Sequence, residues 1–85
     1  MEPAIRVRFF AGAGEAVGAA SLAWSVPTAG VRVDDLLRDL VGKYPRLGPI
    51  VRHSRFLVNS EYVDPTRSRV GPGDEFAVHP PYSGG

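Results

Sequence analysis

The chain contains no cysteine, which removes a disulfide scaffold, a thiolate zinc site and a cysteine nucleophile together. No apolar run approaches the roughly 18 residues that a membrane-spanning helix needs. Neither sign of charge prevails, since ten basic and nine acidic residues are spread along 85 positions for a net charge of +1. No basic stripe and no interleaving of aromatic with basic residues marks a nucleic-acid surface. The opening residues lack the pattern of a secretory leader. The expectation is a cytoplasmic protein that engages neither membrane nor nucleic acid. What remains is ordinary, with 44% hydrophobic and 22% charged residues, as in folded domains generally. The length suits one domain with a single sheet-and-helix core.

Ala4-Ile5-Arg6-Val7-Arg8-Phe9-Phe10 alternates cleanly, with Ile5, Val7 and Phe9 on one side and Arg6, Arg8 and Phe10 on the other, as a half-buried strand requires. The small, glycine-rich stretch 11–20 predicts a loop with a helical turn around Glu15-Ala16-Val17. Ser21 to Val26 predicts a second strand with Leu22, Trp24 and Val26 on one face, ended by Pro27 and Gly30. Val33, Leu36, Leu37, Leu40, Val41 and Tyr44 then recur at the spacing of one helical face. Asp34 and Asp35 sit in the first turn, where they complement the helix dipole, although Arg32 is a poor residue for the N-cap. Pro45 ends this helix, and the stretch 47–54 predicts a further short helical turn. Arg55 to Val58 predicts a strand, turning at Asn59-Ser60-Glu61 into a short one at Tyr62-Val63. Gly71-Pro72-Gly73-Asp74 is a turn cluster, and Glu75 to His79 predicts the last strand, with Phe76 and Val78 inward.

Two strands, one main helix and three more strands make an α+β domain. One helix crossing a mixed sheet of about five strands is the β-grasp, or ubiquitin-like, plan. The first and last strands, which carry the strongest apolar alternation, belong side by side at its centre. The domain is expected over 1–79, followed by an extended, flexible tail over 80–85. Pro80 and Pro81 cannot continue a ladder inside a sheet. At about 3.3 Å per residue the tail carries Gly85 up to roughly 20 Å from the sheet.

Several pieces together resemble a known family. Val7-Arg8-Phe9-Phe10-Ala11 with Glu15-Ala16-Val17-Gly18 is similar to the opening of molybdopterin synthase small subunits, sulfur carriers of the ubiquitin-like class. Val33-Asp34-Asp35-Leu36-Leu37 resembles their helix start, and Phe56-Leu57-Val58-Asn59 their third strand and turn. Gly73-Asp74-Glu75-Phe76-Ala77-Val78-His79-Pro80-Pro81, closing on Ser83-Gly84-Gly85, resembles their end.

The resemblance implies a non-catalytic carrier that binds no cofactor. Its terminal Gly85 carboxylate is adenylated by an activating enzyme that uses ATP, and is then converted to a thiocarboxylate. A large synthase subunit holds the catalytic groups, receives the tail and uses the sulfur to convert precursor Z into the dithiolene of molybdopterin, within a heterotetramer. Two sulfurs are needed, so two carriers are consumed per pterin. The tail residues are Pro80, Pro81, Ser83 and Gly84 leading to Gly85. Two glycines without Cβ let the backbone enter a narrow channel. The resemblance also implies that Phe10, Tyr62 and His79 belong to the surface that meets the large subunit. His79 departs from the larger apolar residue usual at its position.

Other signals are weaker. Gly12-Ala13-Gly14-Glu15-Ala16-Val17-Gly18 follows a strand, but its spacing is one residue too long for a dinucleotide loop, and the chain is too short for a doubly wound domain. His53 and His79 are the only histidines and are expected at the surface; no metal site is expected. No serine stands in a nucleophile elbow, and Asp34, Asp35 and Asp39 are expected to be solvated helix charges. Competing functions are a sulfur carrier for thiamin, cysteine or tRNA thiolation, a protein modifier joined through Gly85 to lysines, and a plain ubiquitin-like interaction domain.

Overall fold

β1 (Ala4–Phe9) pairs antiparallel with β2 (Ser21–Ser25) on one side and parallel with β7 (Glu75–His79) on the other. The computed structural model, which describes residues 2–81, continues the sheet through β4 (Arg55–Val58) and β5 (Glu61–Val63) in the order β2-β1-β7-β4-β5. The two strands with the strongest apolar alternation do lie at the centre, side by side. Val7, Phe76 and Val78 are fully buried there, and the Phe56 and Phe76 rings stack with centroids 6.0 Å apart. Apolar alternation and central position go together, because a central strand has its inner face wholly covered.

That cover is α2 (Val33–Lys43), which buries Val33, Leu36 and Leu40. Leu37, expected beside them, is only partly buried. A 3₁₀ turn (Pro45–Leu47) and α3 (Gly48–Val51) follow, and Leu47 enters the core completely. Inside the glycine-rich stretch, α1 (Gly12–Val17) forms a longer helix than the single turn expected. Ala13 packs fully into the core, and Gly18 ends the helix in the left-handed conformation at φ 85°. Small residues here are a packing requirement: α1 lies close on β1.

The remaining pairing was not foreseen. β3 (Val31–Arg32) and β6 (Arg69–Val70) form a two-stranded ladder of their own. It explains the weak N-cap of α2. Arg32 makes no side-chain capping bond; instead the amides of Val33 and Asp34 donate to the carbonyls of Ser68 and Pro65, at 3.0 Å each. The loop held by β6 satisfies two of the orphan amides of the first turn. Arg32 also donates to Asp34 at 2.8 Å.

The β4–β5 connection is tighter than expected. Val58 pairs with Glu61, so Asn59-Ser60 form a two-residue loop with φ of 50° and 70°. Positive φ at both positions is the requirement of the turn that matches strand twist. Asn59 also accepts the Glu75 amide at 3.0 Å and donates to Asp74 at 3.1 Å, which ties the hairpin to the start of β7.

Candidate functional site

Strand register decides which side chains share the sheet's second face, away from α2. β1 offers Arg6 and Arg8, β7 offers Glu75, Ala77 and His79, and β4 offers Arg55 and Leu57, while Tyr62 of β5 pairs with Leu57. Phe10 lies one residue past β1, yet its amide still donates to the Val78 carbonyl at 3.1 Å. The parallel ladder thus runs on long enough to set Phe10 beside His79. Their rings meet edge to face, with centroids 5.5 Å apart at 81°.

Two arginines cap the aromatic rings. The Arg8 guanidinium lies 4.9 Å from the Phe10 centroid and the Arg55 guanidinium 5.4 Å from that of Tyr62. Arg8 also reaches Glu75 at 3.4 Å. Tyr62 is the one large hydrophobic side chain that stands exposed among the described residues, at 58%. Phe10 is half-buried, not exposed as its outward position suggests, because His79 and Arg8 cover its edge and face. His79 and His53 are exposed.

Pro80 and Pro81 leave β7 between two clefts. One is lined by His53, Arg55, Tyr62 and His79, the other by Phe10, Ala11, Gly12, Ile50 and His79. All three expected contact residues therefore border the point where the chain departs from the sheet. A larger groove lies behind β5 on the helix side, where Leu37, Val51, Phe56 and Val63 line it together with Asp34, Arg52, Arg55 and Tyr62. His53 and His79 share a cleft, and no group of three metal-ligating side chains forms among the described residues. Ser83, Gly84 and Gly85, the expected working end, lie outside the described residues.

The ThiS family profile matches residues 7–85. The chain belongs to the ThiS family. Two relatives, each named molybdopterin synthase sulfur carrier subunit, align along most of this ThiS-family chain. The one from Chlamydomonas reinhardtii is 33% identical over 82 residues, covering 95% of this chain and 98% of its own. The human one is 34% identical over 83 residues, covering 95% and 93%. The crystal structure of small archaeal modifier protein 1 from Haloferax volcanii superposes with a TM-score of 0.79 at 28% identity, over 93% of this chain and 98% of that one. A complex of subunits 1 and 2 of molybdopterin-converting factor from Helicobacter pylori shares the fold, with a TM-score of 0.67 at 18% identity over 96% and 99%. No helix among the described residues of this ThiS-family chain is long and apolar enough to cross a membrane.

The resemblance named Phe10, Tyr62 and His79, and the strands bring them to one face of this ThiS-family domain. It did not name Arg8 or Arg55. Arg8 was legible, since it stands two residues before Phe10 in one strand and must share its face. Arg55 was not, because its contact with Tyr62 depends on the register across a hairpin.

Proposed function

We propose that the chain is the sulfur-carrying subunit of a molybdopterin synthase, with the Gly85 carboxylate as its working group. A carboxylate is a poor electrophile, so an activating enzyme joins it to AMP from ATP with loss of pyrophosphate. A donor of reduced sulfur then displaces AMP and leaves a thiocarboxylate on Gly85. Seated on the large subunit, in a heterotetramer, the tail delivers that sulfur to precursor Z, a cyclic pyranopterin monophosphate. Each transfer returns the carrier as its carboxylate, and two carriers complete one dithiolene. In this reading the carrier contributes no catalytic side chain. Pro80 and Pro81 direct the tail away from the sheet, Ser83 and Gly84 thread the channel, and Phe10, Tyr62 and His79 seat the domain. In this reading the reaction takes place in the cytoplasm.

The observation that carries this reading is near-full-length similarity to two carrier subunits of that name, within a family match that takes in Gly84-Gly85. The Helicobacter pylori complex supports a large-subunit partner by its fold. A second reading, conjugation of Gly85 to lysines, draws on the similarity to an archaeal modifier protein.

The test is chemical. Incubated with its activating enzyme, ATP and a sulfur donor, the protein is expected to gain the mass difference between sulfur and oxygen at its C-terminus, read by intact-protein mass spectrometry. Mixed with large subunit and precursor Z, it is expected to yield the dithiolene. Deleting Gly85, or adding one residue after it, is expected to abolish both. A chain without Gly85 that still gains sulfur and still supports dithiolene formation refutes the proposal, whereas Gly85-linked isopeptides without dithiolene formation favour the second reading.

A further inference from the structure

The partner-facing sheet surface is unbalanced in charge. Among the described residues, Arg6, Arg8 and Arg55 stand on it against a single carboxylate, Glu75. Glu75 is engaged by Arg8 at 3.4 Å, and Arg6 donates to the Ser21 hydroxyl at 3.3 Å. Arg55 has neither an ion pair nor a hydrogen bond among the described residues; its contact is the face of Tyr62. Among the described residues, no carboxylate lines the cleft it shares with His53, Tyr62 and His79, beside Pro80 and Pro81. Asp35 and Asp39 belong to α2, which packs on the other face of the sheet; Asp34, also of α2, lines the groove behind β5 with Arg55 and Tyr62 but is paired with Arg32 at 2.8 Å and not with Arg55.

This arrangement constrains whatever covers the aromatic residues. A guanidinium stacked on a ring keeps its N–H donors directed outward around its edge. A partner that buries Tyr62 must also take Arg55 out of water, and an unpaired buried charge is strongly unfavourable. Burial of the ring is favourable only where the partner brings an acceptor of opposite charge. We infer that the surface docking on this face carries a carboxylate opposite Arg55, beside an apolar centre that receives Phe10 and Tyr62, and that Arg55 is a specificity residue for that partner. The inference rests on the pairing with the large subunit proposed above, and names its chemistry.

The experiment is calorimetric titration of large subunit with the full chain, at low and at raised salt, alongside thermal melts of each variant. Arg55→Gln is expected to weaken binding about tenfold or more at low salt and to reduce its salt dependence, with Arg55→Glu weaker still. Arg38→Glu makes the same charge reversal on α2, where the side chain is 77% exposed, and is expected to bind like wild type. Arg55→Glu at wild-type affinity overturns the inference, as does equal weakening by Arg38→Glu, which would indicate overall charge in place of a local contact. If Phe10→Glu weakens binding while both Arg55 variants do not, the pairing stands and the carboxylate falls. If the wild-type chain does not bind the large subunit, both fall. Should Arg55→Glu lose its melt, Arg55→Lys, which keeps the charge but not the planar fork, replaces it; unchanged affinity and salt dependence in Arg55→Gln then decides against the inference.

Discussion

Gly30 adopts φ 82°, and a Cβ placed on it would stand 2.9 Å from the Val70 carbonyl oxygen. Both the backbone conformation and the contact exclude a side chain, since the obstacle is backbone and cannot swing aside. Gly30→Ala is therefore expected to lower stability by about 1–3 kcal/mol, measured by urea unfolding. Asp74 acts through charge. Its carboxylate accepts the Gly71 amide at 2.8 Å and the Asn59 side chain at 3.1 Å, and these bonds, the first above all, hold its pKa below the ordinary 3.8. Asp64 is lowered likewise, mainly by the Thr66 amide and then by the Thr66 hydroxyl. A depressed carboxylate stabilises the fold above its unfolded pKa and loses that contribution as pH falls through the folded value. Melting temperature is thus expected to hold from neutral pH to about pH 5 and to decline below about pH 4, with a shallower decline in Asp74→Asn.

At the scale of elements, α2 is the part whose removal ends the fold. Its inner face is the only helical surface that contributes Leu36 and Leu40, both almost wholly buried. Leu40→Ala is expected to cost about 2–5 kcal/mol, a large fraction of the margin of a small domain, so its urea midpoint should fall steeply or the cooperative transition vanish. The start of α2 was legible from its period, and its capping was not. Arg32 looks unsuitable in sequence because the acceptors for the first amides, Ser68 and Pro65, lie more than thirty residues away. The β3–β6 ladder escaped notice for a related reason: two-residue strands have no alternation to read. Asn59-Ser60 lacks the glycine that usually announces a two-residue turn, so the hairpin looked one residue looser than it is.

At the scale of the molecule, the core and the proposed docking surface use opposite faces of one sheet. Phe10→Glu is expected to cost about 1–2 kcal/mol, from its edge contact with His79, the Arg8 guanidinium over its face and the half-buried ring. It should nevertheless weaken binding of the large subunit severely, because a carboxylate replaces an apolar group in a surface that must shed water. A melt beside a titration checks both halves, and a collapsed melt with retained affinity would assign Phe10 to the core instead. Its half-buried state already shows how the outward face differs from a bare one: the alternation in β1 placed Phe10 on the right side, but only the parallel pairing with β7 put His79 against it. The same division runs through the whole chain. Period, prolines and turn residues, all local, determined the strands, the main helix, the β-grasp order and the resemblance carried by the ends of the chain. Tertiary structure alone decided the β3–β6 ladder, the remote capping of α2 and the meeting of Arg55 with Tyr62. The first two are contacts between segments more than thirty residues apart, set by the packing of the core, and the third depends on the register across the Asn59-Ser60 turn, which no glycine announces in the sequence.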